Sequence, residues 1–179
     1  NVVVFILQNI FTKLPYILSM VPIYIRIKHW YWQVFTYMFS HVDFWHLFSN
    51  MLGLFIFGRL VERSVGSREF LLYYLLTGTL AGAASYFMYL FSGSLFTVVL
   101  GASGALYAVM LLFAVLFPTA VVYVFGIIPM RAPLLVILYF FIDFLGQFRA
   151  DGTAHLVHLS GLFFGFLYIM IRMKINPLR

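Results

Sequence analysis

Ser103 stands between two glycines in "VVLGASGALYAV" (residues 98–109), at the mouth of an apolar run. A serine becomes a nucleophile when a positioned base takes its proton, and histidine is the usual base near neutral pH. The stretch "AHLVHLSGLFFGF" supplies two imidazoles, His155 and His158. A third stretch, "HVDFWHLFSNM", sets His46 and Asn50 at i and i+4, so both project from one face of a helix. Side-chain donors there can join the Ser103 amide in stabilising a tetrahedral oxyanion, worth about 3 kcal/mol per donor in serine proteases. Together these residues have the makings of acyl transfer.

Each fragment also has a plain structural reading. Gly101, Ser103 and Gly104 are small residues of the kind that let helices pack closely in lipid, and His46, Asn50 and His158 can simply hydrogen-bond neighbouring helices. His155, nearer a loop, reads as structural. His29 and His41 fall in an interfacial loop where they meet water. The five acids, Asp43, Glu62, Glu69, Asp143 and Asp151, do not cluster with the histidines along the chain. There is no HExxH, no glycine-rich phosphate loop and no cysteine, so neither a metal nor another cofactor is expected, and thiolate chemistry is excluded.

The elements that must position these groups lie in lipid. Of the 179 residues, 64% are hydrophobic and 9% charged, far from the quarter of charged residues in a soluble domain. At roughly 20 residues per span, the chain is expected to be one all-α domain over residues 1–179, a polytopic bundle of six transmembrane helices. "NVVVFILQNIF" is too short to cross before Lys13 and Pro15, so the first span reads as truncated, and it lacks the pattern of a signal peptide. The net charge of +6 fits the positive-inside rule, and nucleic acid is not expected as a partner.

Residues 13–43, with Pro15, Pro22 and "HWYWQVFTYMF", read as an interfacial loop. Further helices are expected at about 44–62 with Asp43 as N-cap, 69–91 with a close-packing face at Gly78 and Gly82, 103–117 ending before Pro118, 132–147 and 154–172. Residues 119–130, broken by Gly126 and Pro129, suit an interfacial or re-entrant connection. If the first span leaves the cytoplasm, Arg59, Arg63, Arg68, Arg131, Arg172, Lys174 and Arg179 lie inside and Lys13, Arg26, Lys28 and Arg149 outside. Ser103 then faces outside.

A helix of about 15 residues is about 22 Å long, short of a hydrocarbon core of about 30 Å. Its N-terminus must lie below the surface, reached by non-helical backbone that is tolerated only within protein or beside a water-filled cavity. Ser103 would sit at the floor of that cavity. Gly161 and Gly165 share a helical face with His158, and that face can press on Gly104 and Ala108. Such contact would bring His158 within hydrogen-bond reach of Ser103.

The trio of "GASG", "HLFSN" and "HLSGLFFG", in that set of patterns GxSG, HxxxN and HxxGxxxG, resembles the rhomboid family of intramembrane serine proteases in order and spacing, over nearly the whole chain. The resemblance implies Ser103 as nucleophile, His158 as general base, and His46 and Asn50 with Ser103 at the oxyanion hole. It implies Gly101 and Gly104 as supporting residues and Tyr107 as the ring packed on the imidazole. The family uses a Ser/His dyad, so no carboxylate beside His158 is implied. The family's usual Trp-Arg in the first loop reads Trp32-Gln33 here, which removes a cationic partner for Glu62 and leaves the anchoring of that loop to be found.

The activity implied is cleavage of single-pass membrane proteins within the bilayer, with preference for small residues at the cut and helix-weakening Gly or Pro nearby. The implied location is the cell membrane, plasma or inner. The rival from another class is an inactive relative that binds client membrane helices as an adaptor. A small-solute transporter is more remote, since no repeat symmetry is visible.

Overall fold

The apolar runs fold as helices because a bilayer offers the backbone no partner other than itself. The computed structural model describes residues 1–124, 126–147 and 154–177, so Arg149, Asp151 and Arg179 lie outside the described residues. Helix α1 (Val2–Ile10) leads into a first loop holding α2 (Leu14–Leu18), α3 (Pro22–Lys28), α4 (Gln33–Thr36) and a 3₁₀ turn at Tyr37–Phe39. Asp43 caps α5 (Phe44–Gly53), its carboxylate accepting from the His46 amide at 2.7 Å. A π-helical segment, Leu54–Gly58, carries α5 on into α6 (Arg59–Val65). After these come α7 (Ser67–Phe91), α8 (Ser103–Leu116), α9 (Ala132–Gly146) and α10 (His155–Ile171).

Among the described residues, Phe44–Val65, Ser67–Phe91 and His155–Met173 are long and apolar enough to cross a bilayer, while α8 and α9 are shorter apolar helices. The result is a helical membrane bundle. Residues 119–130 are not simply an irregular connection: β1 (Val121–Val124) pairs antiparallel with β2 (Ile128–Arg131), Val121 opposite Arg131 and Val124 opposite Ile128. Three valines and a tyrosine favour a strand, and Gly126, at φ +73°, takes up part of the turn.

Helix α8 lies at the centre, packed on α7 and α10, with Ala105, Ala108, Val109 and Leu112 fully buried. Its tightest contact is with α10. A Cβ added at Gly161 would overlap the carbonyl oxygen of Gly104, and one at Gly165 would come within 2.9 Å of the Ala108 Cβ. Tyr73 of α7 fastens the same region, its hydroxyl donating to the Ala108 carbonyl at 2.6 Å.

The first loop is anchored by a neutral side chain. Gln33 is fully buried; its Nε2 donates to the carbonyls of Tyr16 (2.9 Å) and Ile17 (3.3 Å), and its Oε1 accepts from the Val21 amide at 3.1 Å. Trp32 Nε1 also donates to Ile17, and Thr36 Oγ1 to Leu18. The last carbonyls of α2, which have no acceptor role left within the helix, are therefore taken up by three side chains from the α4 region. Gln33 thus anchors the first loop without a cation.

That loop in turn holds the non-helical segment before Ser103. Met20 and Val99 exchange backbone hydrogen bonds at 2.8 and 2.9 Å, Ile23 N donates to Leu95 O, and Gly101 N donates to Tyr37 O. His41, expected to meet water, is 2% exposed, and its Nε2 accepts from the Ala102 amide at 3.4 Å. Gln8 of α1 fixes the approach to it, donating to Ser40 Oγ and accepting from the His41 amide. Burial, with a smaller contribution from neighbouring His46, pushes the His41 imidazole down from 6.5 to about 4.

Two outcomes follow from this packing. In Gly161→Val the new side chain meets backbone that cannot rotate away, and we expect at least about 2 kcal/mol of destabilisation, read as a fall in melting temperature in detergent; an unchanged melting temperature would contradict the contact. For His41, the unfolded chain binds a proton below about 6.5 that the folded chain refuses until about 4. Stability contributed by His41 is therefore present above that window and lost as pH falls through it. His41→Gln, which keeps an acceptor for Ala102, should show a shallower fall in melting temperature between pH 6.5 and pH 4 than the parent.

Candidate active site

The N-terminus of α8 opens on a cavity of about 560 Å³ lined by Val42, His46, Ser49, Asn50, Val98, Leu100, Ser103, Ala154 and His158. Four polar groups singled out from three distant sequence stretches therefore face one space. Ser103 is the first residue of α8, where a backbone N–H has no intrahelical acceptor and the helix dipole is positive. Ser103 Oγ and His158 Nε2 are 2.7 Å apart, a short hydrogen bond between α8 and α10. Tyr107, one turn along α8, stacks on the His158 ring with centroids 4.4 Å apart and planes 15° from parallel. The ring fixes the imidazole plane.

His46 packs over Gly101. At φ +115°, Gly101 adopts a backbone conformation that disfavours side chains, and a Cβ there would lie 2.7 Å from the His46 ring. The His46 imidazole also meets His41 edge to face, centroids 5.1 Å apart. Asn50 is buried on the same wall, with Nδ2 donating to the His46 carbonyl at 2.8 Å. One amide hydrogen of Asn50 is left to point elsewhere. Gly104 contributes space: a Cβ there would collide with Val157 of α10 at 2.7 Å and with the Tyr37 hydroxyl at 3.2 Å.

One expectation is overturned. The acids were read as separate from the histidines, yet Asp143 of α9 is 1% exposed and its Oδ1 lies 2.8 Å from His158 Nδ1 and 2.7 Å from His155 Nδ1. A neutral His158 that donates from Nδ1 to this carboxylate carries no proton on Nε2, which leaves that lone pair for the Ser103 hydroxyl. His155, read as a bystander near a loop, is the second donor to the same oxygen. Gly146, one turn beyond Asp143, makes room for it, since a Cβ there would overlap the His155 ring.

Sequence reasoning missed Asp143, although a signal was present. It is the lone acidic or basic residue in "APLLVILYFFIDFLG", and a charged side chain in an apolar span marks a functional site by default. Asp143, His155 and His158 are also close enough to suggest metal ligands. Their separations of 2.7 and 2.8 Å are those of hydrogen bonds, shorter than the roughly 3.3 Å between ligands of a tetrahedral zinc with 2.0 Å bonds.

Comparison with known proteins bears on the family of the chain. Residues 28–175 match the rhomboid domain family. "RHOMBOID-like protein 12, mitochondrial" of Arabidopsis thaliana is 38% identical over 139 residues, 68% of this chain and 41% of that protein. "Rhomboid protein 1, mitochondrial" of Saccharomyces cerevisiae is 39% identical over 89 residues, 49% of this chain and 25% of its own length. "Putative rhomboid protease YdcA" of Bacillus subtilis is 30% identical over 139 residues, 76% of this chain and 65% of its own length. The chain thus spans less than two thirds of each of these relatives. Two of the three names are mitochondrial, whereas the sequence pointed to the cell membrane. The family match over most of the chain and the apolar helices lead to one conclusion: this chain is an integral membrane protein and belongs to the rhomboid family.

Proposed function

We propose that the chain is an intramembrane serine endopeptidase that cleaves membrane-protein substrates with Ser103 as nucleophile and His158 as general base. The observation that carries this reading is the 2.7 Å hydrogen bond from Ser103 Oγ to His158 Nε2 at the start of α8, beside the cavity. In the first step Ser103 Oγ bonds to the scissile carbonyl carbon while its proton passes to His158 Nε2. The amide C–N bond then breaks, His158 returning the proton to the departing amine. Water, deprotonated by the same imidazole, releases the acyl group and restores the serine. His46, Asn50 and the Ser103 amide are the proposed oxyanion donors, with Gly101 and Gly104 supporting the loop and helix start that present them.

We read residues 1–179 as one domain with six spans. We take single-pass membrane proteins as the substrates. A peptide bond inside a helix is shielded by its own hydrogen bonds, so the segment must unwind before attack; small residues at the cut and Gly or Pro nearby ease this. For location we keep the cell membrane, plasma or inner, against a mitochondrial or chloroplast membrane suggested by the relatives' names, and membrane fractionation separates them.

Labelling with a serine-directed fluorophosphonate in detergent tests the central claim. The parent should label, and Ser103→Ala and His158→Ala should not. Equal labelling of the parent and Ser103→Ala overturns the assignment, and a parent that stays unlabelled while still retaining a client helix favours the adaptor. Substrates in which Gly or Pro near the cut is replaced by Leu should be cleaved at least about tenfold more slowly, measured by product formation in proteoliposomes.

A further inference from the structure

A carboxylate and a second imidazole lie behind His158, and a two-residue mechanism gives neither of them work. Asp143 reaches His158 from α9, while Ser103 lies on α8 and both histidines on α10, so three helices meet at one line of hydrogen bonds. The line runs from Ser103 Oγ to His158 Nε2, and from His158 Nδ1 to Asp143 Oδ1, at 2.7 and 2.8 Å. This is the order of groups that orients an imidazole and stabilises the imidazolium formed on attack. His155 Nδ1 donates to the same Oδ1 at 2.7 Å, so the carboxylate is fixed from two sides.

We infer that Asp143 is a positioning residue for the proposed proteolysis, holding His158 in the Nδ1-protonated tautomer and balancing its charge, with His155 locking the carboxylate in place. The inference rests on the Ser103/His158 reading above. Among the described residues, the groups that face the His158 ring are Ser103, Tyr107, Asp143 and His155, with His46 across the cavity. Only Asp143 among them carries a negative charge. Its other oxygen, Oδ2, is buried and has no hydrogen-bond partner among the described residues. A carboxylate left at such depth needs strong donors, and two imidazole N–H groups supply them.

Two measurements test this. In Asp143→Asn, fluorophosphonate labelling of Ser103 should slow by up to about 10⁴-fold, the loss seen when the carboxylate of a serine-protease triad becomes an amide. For a cleavable substrate kcat should fall while KM stays within about twofold, since Asp143 does not line the cavity that would hold the peptide. His155→Gln should slow labelling by roughly tenfold, because the carboxylate loses one anchor and keeps its charge. The second measurement needs no variant at Asp143: in ¹⁵N-histidine spectra of the parent, His158 should carry its proton on Nδ1. A parent His158 protonated on Nε2 overturns the inference even if Asp143→Asn does not fold. Labelling of a folded Asp143→Asn within about threefold of the parent, with Ser103→Ala silent, overturns it while leaving the protease reading intact. Labelling of Ser103→Ala at the parent rate removes the protease reading itself.

Discussion

The close approach of α8 and α10 at Gly104 and Gly161 sets the distances on which the site depends. In lipid no hydrophobic driving force draws two helices together, so their separation is decided by the bulk of the residues between them. Ser103 is the neighbour of Gly104, and His158 lies one turn before Gly161. The hydrogen bond between them tolerates little change, since donor and acceptor lose contact beyond about 3.5 Å. Packing and reactivity therefore share the same glycines. Tyr107 and Val157 fill the remaining space, one stacked on the imidazole and the other against Gly104.

A second requirement is placed on the segment between α7 and α8. Its backbone is not helical, and every N–H and C=O withdrawn from water must find a partner. Met20, Tyr37 and His41 provide them for Val99, Gly101 and Ala102. The first loop is therefore part of the scaffold that presents Ser103. Gln8 of α1 extends that scaffold to the start of the described chain.

Much of this was legible because it depended on local chemistry. Asp43 as a cap, Pro118 as a stop and the short α8 are effects of neighbours in sequence. The meeting of Ser103 and His158 was legible for another reason, because glycines at helical spacing mark the faces that approach most closely. Asp143 was harder, since periodicity tells which way a side chain points but not which residue on another helix it will meet. His41 was misread because a loop position says nothing of what covers it. The strands at residues 121–131 were obscured by apolar residues whose short run suits strand and buried helix alike.

Gln33 shows what a change of charge at an anchor does to the surroundings. An arginine at that position would need a counter-ion and would respond to ionic strength and to charged lipid headgroups. The amide of Gln33 makes three hydrogen bonds to backbone and carries no net charge. At this anchor the attachment of the first loop, and through it the loop that ends in Ser103, rests on hydrogen-bond geometry. Salt concentration and the surface charge of the host membrane find no charge on Gln33 to act on.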